Sequence, residues 1–420
     1  MPGFGSSCGC LLWFIDGFVK KFRNRRIWRT NNKNRKLRKR STTPIDEVFP
    51  PDAFGGSFII SGGGQSNRLY LSEQIIGNAK NANHPIIIIH TANGALERVI
   101  AGNNFGNVVS SRSKVFDAFT SFELNDIYHL VTETYKSKYD IKPAGRYILQ
   151  VVHELVQSKG RRPYFSDYAT CPYFNLTDTI AKRLTNGVIS QATADKLNSL
   201  LFTGQSELPK IDTFFSDAKS QIDYLSAPNP NNTGAVGILS AIRNKQILCI
   251  DVQSSSNTML IELIVNSLII AMNRGYDFSL FVDDISFTNN DLLKNTICQK
   301  SKHSNIILSK DLYSLTGGKD DVFSTIISEA DKTVLFAHNS GTSCEKWSKY
   351  LGEYDKIDLS NNRSGGYGAV GRVMYSSNSG QTETLKREHR VKPEQIRSLS
   401  QGEAFIFDSR TDKLLQTVIV

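Results

Sequence analysis

Short apolar segments recur along most of the chain and alternate with stretches of helical spacing. The segments lie at residues 57–61, 86–90, 246–252, 278–283, 305–309 and 333–338. Runs of this kind are typical of parallel strands that are covered on both faces of a sheet. Each run is followed by polar or small residues, which suit a turn at the carboxyl end of a strand. The pattern predicts an α/β fold with a mostly parallel sheet.

The part of the chain between residues 112 and 227 has a different pattern, with helical spacing of apolar residues and few β-branched runs. It predicts an all-α insertion domain that divides the α/β domain into residues 54–111 and 228–420. Residues 258–272 form the most hydrophobic predicted helix, which is too short to span a bilayer and contains Glu262 and Asn266. We therefore expect that helix to be buried against the sheet. Residues 404–408 and 414–420 predict a terminal hairpin.

The positive charge of the chain is concentrated near its amino terminus. The net charge is +10, and residues 20–40 contain twelve Lys or Arg and no acidic residue. Residues 1–53 are therefore predicted to be a flexible or membrane-surface tail. The apolar run before the basic one gives residues 11–40 the order of an interfacial segment on an anionic membrane, with nucleic acid as the alternative partner. The scattered cysteines suggest no disulfides, so we expect a cytoplasmic protein, peripheral at the inner face of a bacterial membrane.

A glycine-rich segment follows the first predicted strand, where a phosphate-binding loop would lie. Its candidate nucleotide-binding residues are Gly62, Gly63, Gly64, Gln65, Ser66, Asn67 and Arg68. Against the pattern G-x-x-x-x-G-K-[ST], Asn67 replaces the glycine, Arg68 the lysine and Leu69 the hydroxyl residue. Arg68 can pair with phosphate, but Leu69 has no oxygen for Mg²⁺. A plain glycine-rich turn is the alternative interpretation.

Two adjacent carboxylates end the predicted strand 278–283, as in a Walker B motif. Asp283 would reach a magnesium ion, and Asp284 would face an attacking water molecule. The next strand, residues 305–309, is expected to lie beside Asp283 and to end at Lys310, in the place of a γ-phosphate sensor. The sequence thus predicts Asp283, Asp284 and Lys310 as catalytic residues, with ATP and Mg²⁺ as cofactors. Carboxylates that merely cap the following segment are the alternative.

The order of these parts resembles the conjugative coupling ATPases of type IV secretion, the TraG/TraD type, within the FtsK/HerA-like P-loop superfamily. Residues 281–284 resemble their Walker B motif, and residues 306–315 resemble their third motif, with Lys310 where a glutamine is usual. Residues 334–353 and 388–404 resemble the later strand–helix and closing segments. The predicted helical insertion also matches, because these proteins carry a helical domain between their two Walker motifs.

The resemblance implies a ring-forming P-loop ATPase that recruits or moves DNA or protein substrates of a secretion channel. The degenerate phosphate loop implies that this ATPase is weak or depends on a partner subunit. Two alternatives stay open: a catalytically inactive pseudo-ATPase that acts as a structural or adaptor subunit, and a DNA-binding protein that acts through its basic tail. The pair of membrane-spanning segments that the resemblance implies at the amino terminus is not predicted by the hydropathy of the chain.

Overall fold

The computed structural model describes residues 7–50, 54, 56–110, 116–222, 235–299, 303–365 and 377–420, and the side chains of these residues apart from 7–17, 361–365 and 377–381. The chain forms two compact units. Unit 1 combines Met1–Thr43 with Leu335–Val420, and unit 2 is Pro44–Val334.

The described residues form strands and helices along the whole chain. The strands are β1 (Leu37–Thr43), β2 (Phe58–Ser61), β3 (Ile86–His90), β4 (Asn107–Val109), β5 (Leu248–Asp251), β6 (Ser279–Asp283), β7 (Ser304–Ser309), β8 (Lys332–Leu335), β9 (Glu353–Gly365), β10 (Ser377–His389), β11 (Glu403–Asp408) and β12 (Lys413–Ile419). The helices are α1 (Ser7–Arg35), α2 (Ile45–Val48), α3 (Gln65–Asn81), α4 (Gly94–Gly102), α5 (Leu124–Glu133), α6 (Lys136–Tyr139), α7 (Gly145–Gln157), α8 (Phe165–Ala169), α9 (Leu176–Thr185), α10 (Gln191–Gly204), α11 (Leu208–Ile222), α12 (Ile238–Arg243), α13 (Thr258–Asn273), α14 (Asp291–Ile297), α15 (Leu312–Leu315), α16 (Asp320–Ser328), α17 (Gly341–Tyr350) and α18 (Pro393–Arg397).

The sheet of unit 2 has the strand order β8-β2-β7-β6-β3-β5-β4. Strand β7 lies between β2 and β6 and is parallel to both, and β6, β3, β5 and β4 continue the parallel pairing. Every residue of β2, β3, β6 and β7 is buried, which explains why these segments are apolar on both faces. The predicted α/β fold with a mostly parallel sheet is confirmed.

Helices α5 to α11 form a helical segment between β4 and β5. Its core is aromatic: the rings of Tyr168 and Tyr173 stack on Phe215 at centroid distances of 5.6 and 5.9 Å. Buried Asp117 accepts hydrogen bonds from the backbone N–H groups of Phe119 and Phe165, both at 2.9 Å, and so holds the start of this segment. The boundaries predicted for the insertion, residues 112 and 227, lie outside the described residues.

Helix α13 is the buried apolar helix that the sequence predicts. Two of its polar residues bond to the helical segment: Glu262 accepts from the backbone N–H of Tyr135 at 2.8 Å, and Asn266 donates to the hydroxyl of Thr134 at 3.1 Å. Gly275, with φ +76°, follows the end of the helix in the left-handed conformation that glycine adopts without strain. Within the described residues, no helix is long and apolar enough to cross a membrane.

Unit 1 contains two sets of paired strands. Strand β12 pairs in parallel with β1 and antiparallel with β11, so the terminal hairpin of the sequence is β11–β12. Strands β9 and β10 form a separate long antiparallel hairpin. The basic run 20–40, expected to belong to a flexible or membrane-surface tail, lies in α1 and β1.

Helix α1 is attached to the β9–β10 hairpin by side chains on one of its faces. The amide of Asn31 donates to the carbonyl of Ile357 at 3.0 Å and accepts from the N–H of the same residue at 2.8 Å. Asn34 donates to the carbonyl of Asp355 at 3.0 Å, one turn further along the helix. The side-chain amide of Asn31 therefore takes the place of a neighbouring strand at the outer edge of β9.

The turn before β4 lies so close to the residue before β5 that a side chain on its glycine, Gly106, would clash. A Cβ at Gly106 would lie 2.3 Å from the backbone oxygen of Ile247, whereas a Cβ at Gly102 would meet nothing within 4 Å. We expect Gly106→Ala to lower the free energy of unfolding by about 1–3 kcal/mol because the backbone must shift. The matched control Gly102→Ala leaves it unchanged or slightly higher. Urea unfolding measures both, and equal stability of the two variants would contradict the packing.

Candidate functional site

The glycine-rich segment forms a much shorter loop than the sequence motif predicts. Strand β2 ends at Ser61 and α3 begins at Gln65, so the turn consists of three glycines, 62–64. Gly62 and Gly63 have φ values of +90° and +71°, which only glycine adopts in succession without strain. Ser66, Asn67 and Arg68 lie inside α3 rather than in a loop. The turn therefore lacks the length with which a phosphate-binding loop surrounds its ligand.

Arg68 folds back onto this turn. Its Nη1 donates to the carbonyl oxygen of Gly63 at 2.7 Å, and its Nη2 lies 3.9 Å from Oδ2 of Asp284. The side chain is only 11% exposed. In a phosphate-binding loop the backbone N–H groups face the ligand, whereas here two carbonyls face the guanidinium. A phosphate that approached Arg68 would have to compete with Gly63 and Asp284.

Asp283 is the last residue of β6 and is 2% exposed. Burial raises its pKa and the charge of Asp284 adds to the rise, while a 2.6 Å hydrogen bond from the side chain of Asn93 and the charge of Arg68 oppose it, and the resulting pKa is about 6. Its carboxyl group is therefore partly protonated near pH 6. A magnesium ligand must be ionised, and at neutral pH Asp283 is for the most part ionised, so this pKa does not exclude the role that the sequence assigns to it.

Asp284 and Lys310 meet where β6 and β7 end. Asp284 has φ +51°, its N–H donates to the carbonyl of Leu308 at 2.9 Å, and its Oδ1 accepts from the backbone N–H of Lys310 at 2.7 Å. Lys310 is exposed. The structure thus brings the backbone of Lys310 to the acidic pair, as the sequence predicts for this strand, but it assigns the side chain no contact with them.

A buried polar network joins the ends of β3 and β5. His90 is fully buried, and its Nδ1 accepts from the backbone N–H of Asn93 at 3.1 Å, so its proton is on Nε2, 3.7 Å from Glu97. Burial lowers the pKa of His90 to about 4, against the opposing charge of Asp251. Asp251 in turn accepts from the backbone N–H of Ala92 at 2.9 Å. The ring of His90 is therefore neutral at physiological pH.

Sequence reasoning missed His90, Asn93 and Asp251. The signal that could have found them is their position, because His90 and Asp251 end apolar runs and Asn93 precedes a helix. Asn93 caps α4, accepting from the N–H of Leu96 at 3.2 Å, and its amide nitrogen holds Asp283.

A small cavity of about 160 Å³ lies among these strand ends. It is lined by Gln65, Arg68, Leu69, Ser72, Thr91, Ala92, Asn93, Asp283, Asp284 and Leu308. Four of the residues predicted from the sequence are therefore brought together here, namely Gln65, Arg68, Asp283 and Asp284. The three glycines form the adjoining turn, and Ser66, Asn67 and Lys310 are not among the residues that line the cavity.

The arrangement does not fit a magnesium–triphosphate ligand. Ligand pockets usually enclose about 300–1,000 Å³, so this cavity suits a small anion or a few water molecules. Leu69 offers no oxygen, and the hydroxyl of Ser72 donates to the carbonyl of Arg68 at 2.8 Å. Across the described part of the chain, no group of three or more His, Cys, Asp or Glu residues could hold a metal ion.

The candidate site therefore consists of a turn of three glycines beside an acidic pair, at the carboxyl ends of the strands of a mostly parallel α/β sheet. No family model and no curated protein sequence matches the chain. Among solved structures it is similar to the plasmid coupling protein TrwB. The unbound monoclinic form of the bacterial conjugative coupling protein TrwBdeltaN70 is 14% identical, with a TM-score of 0.51, over 88% of this chain and 86% of that one.

Two further structures of TrwB give the same result. The complex with the ATP analogue ADPNP is 14% identical, with a TM-score of 0.51, over 90% of this chain and 88% of that one. The trigonal form with sulphate is 13% identical, with a TM-score of 0.50, over 92% of each chain. The predicted resemblance to conjugative coupling proteins is confirmed at the level of the fold.

The buried carboxyl group of Asp283 predicts a specific pH dependence. Its folded pKa of about 6 exceeds the ordinary value of 3.8, so between pH 4 and 6 the native state keeps a proton that the unfolded chain has lost. The free energy of unfolding therefore falls as the pH rises through this window. We expect Asp283→Asn, which keeps an acceptor for Asn93, to reduce that fall by on the order of 2 kcal/mol.

Urea unfolding at pH 4.5 and 7.5 measures this difference in the wild type and the variant. Asp117, whose pKa burial also raises to about 6, is present in both proteins and contributes equally. The same loss of stability in the two proteins would contradict a protonated Asp283.

Proposed function

We propose that this chain is a coupling-protein-like subunit of a conjugation or type IV secretion machine, which recruits or moves DNA or protein substrates. The observation that carries this proposal is the similarity to the fold of TrwB over 90% of this chain and 88% of the other. In this role the chain forms a homo-oligomeric ring and works in the cytoplasm, peripheral at the inner face of a bacterial membrane.

In this proposal, ATP hydrolysis by the chain is weak or depends on a partner subunit. Phosphoryl transfer needs a metal ion and cationic groups on the phosphates. Arg68 is engaged by Gly63, and Leu69 stands where the motif has its magnesium-binding hydroxyl. Asp283 and Asp284 with the neighbouring Lys310 are the proposed catalytic residues, and residues 62–68 the proposed phosphate-binding segment. A neighbouring subunit would have to supply the missing cation and to displace Arg68 from the turn.

A second candidate is a pseudo-ATPase that serves as a structural or adaptor subunit of the same machine. The observation that favours it is the contact between Arg68 and the carbonyl of Gly63, at 2.7 Å, in a turn of only three residues. This contact satisfies the polar groups of the turn without a ligand.

Phosphate release separates the two candidates. We expect the purified full chain with Mg-ATP and DNA to turn over more slowly than about 1 s⁻¹, the low end of common enzyme rates, and faster than Asp283→Ala/Asp284→Ala, which lacks both carboxylates. Equal release by the two proteins, with and without DNA, would exclude hydrolysis by this chain alone and favour the adaptor. Calorimetric titration is the second readout, because tight Mg²⁺-dependent ATP binding would exclude the adaptor.

The role in transfer is tested in the strain that produces the protein. We expect deletion of the chain to reduce DNA transfer to recipient cells, or secretion of protein substrates, to background, and the intact chain supplied in trans to restore it. Complementation with Asp283→Ala/Asp284→Ala then shows whether transfer needs the acidic pair. Unchanged transfer and an unchanged set of secreted proteins in the deletion strain would contradict the coupling role.

A further inference from the structure

Helix α1 has two faces of opposite character. One face is attached to the β9–β10 hairpin: Ile27 is 6% exposed, Asn31 and Asn34 bond to the backbone of β9, and Nε of Arg23 donates to Glu383 of β10 at 2.9 Å. These residues recur every three or four positions, so they share one side of the helix. The attachment lies within unit 1 and fixes which side of α1 faces outward.

The outward face combines aromatic and cationic side chains. Phe18 and Phe22 are one turn apart and are 63% and 60% exposed. Arg25 and Arg29, both exposed, continue the same stripe. Together with their neighbours, these side chains border an open hollow of about 770 Å³. Residues 17–35 contain no acidic residue, so no side chain of this part of α1 offsets the charge of Arg25 and Arg29.

We propose that this face of α1, which we call the α1 outer face (Phe18, Phe22, Arg25 and Arg29), binds the surface of an anionic phospholipid bilayer. The two phenylalanine rings would enter the boundary between headgroups and acyl chains, where exposed apolar surface leaves water. The two guanidinium groups would pair with lipid phosphates, for which their planar donors are suited. The proposal rests on the membrane-surface location given under the proposed function, and it assigns that contact to particular residues.

The geometry favours lipid over the other partners that a basic face can bind. The rings of Phe18 and Phe22 pack on each other at a centroid distance of 4.7 Å and a tilt of 58°. They form a compact apolar wedge rather than two open platforms on which nucleic-acid bases would stack. A second copy of the chain is disfavoured, because two such faces would oppose Arg25 and Arg29 to each other without any acidic partner.

Co-flotation of the full chain with vesicles tests the proposal. We expect binding to vesicles of phosphatidylcholine with about one third phosphatidylglycerol, and much weaker binding to pure phosphatidylcholine. Arg25→Gln/Arg29→Gln should weaken binding to the anionic vesicles by about tenfold or more, since each basic residue contributes to the attraction. Phe18→Ser/Phe22→Ser should weaken it by a similar factor, since it removes the inserted surface.

The matched control is Arg38→Gln/Lys39→Gln, which removes two exposed cations of β1 from the same basic run but outside the α1 outer face. We expect its binding to change less than twofold, because these side chains do not approach the bilayer with the wedge. Equal loss in Arg38→Gln/Lys39→Gln and Arg25→Gln/Arg29→Gln would show a general effect of charge and overturn the proposal. Circular dichroism of every variant confirms that α1 is still folded.

Three other outcomes would also overturn it. Equal binding to neutral and anionic vesicles would show that the arginines do not pair with lipid phosphates. Undiminished binding by Phe18→Ser/Phe22→Ser would show that the phenylalanine rings do not enter the bilayer. Absence of vesicle binding, with affinity for DNA that depends on Arg25 and Arg29, would assign the face to nucleic acid. Transfer in the producing strain is measured separately, so failure of vesicle binding is distinguishable from failure of the coupling role.

Discussion

The burial of both faces of the central parallel strands is the constraint from which the candidate site follows. Strands β2, β7, β6 and β3 have no exposed residue, so their polar groups are tolerated mainly at their ends. Parallel pairing then brings those ends to one edge, where Asp283 lies across from Leu308 of β7 and from His90 of β3. The candidate site is thus positioned by packing of the sheet, whatever ligand the local side chains then permit.

Several polar groups at this edge are paired with one another. Arg68 bonds to the carbonyl of Gly63, Asp284 accepts from the N–H of Lys310, and Asp283 is held by the amide of Asn93. In a buried environment an unpaired charge is costly, so each contact stabilises the arrangement without phosphate or metal. These contacts therefore hold the strand ends in place without a bound ligand.

The sequence predicted those parts of the structure that burial dictates. The apolar runs gave the central strands, and the order of motifs placed Asp283, Asp284 and Lys310 at neighbouring strand ends. Strands β9 and β10 were missed because they are polar and are held by pairing with each other rather than by burial. Counting residues from Gly62 aligned Arg68 with the lysine of the phosphate-loop motif. In the structure α3 begins directly after Gly64, so the turn is shorter than the motif and Arg68 lies inside the helix. The hydrogen bond from Asn93 to Asp283 joins residues that are 190 positions apart, so local pattern does not encode it.

The two bonds between Asn31 and Ile357 have a consequence for solubility. A long two-stranded hairpin presents two free edges, and each edge can template the addition of strands from other molecules. Asn31 and Asn34 occupy the edge of β9 as a surrogate strand, while Lys386 and Arg387 place like charges along β10. Proteolytic loss of α1 would therefore expose the edge of β9 to pairing with strands of other molecules. The basic helix thus also protects the chain from aggregation through β-pairing.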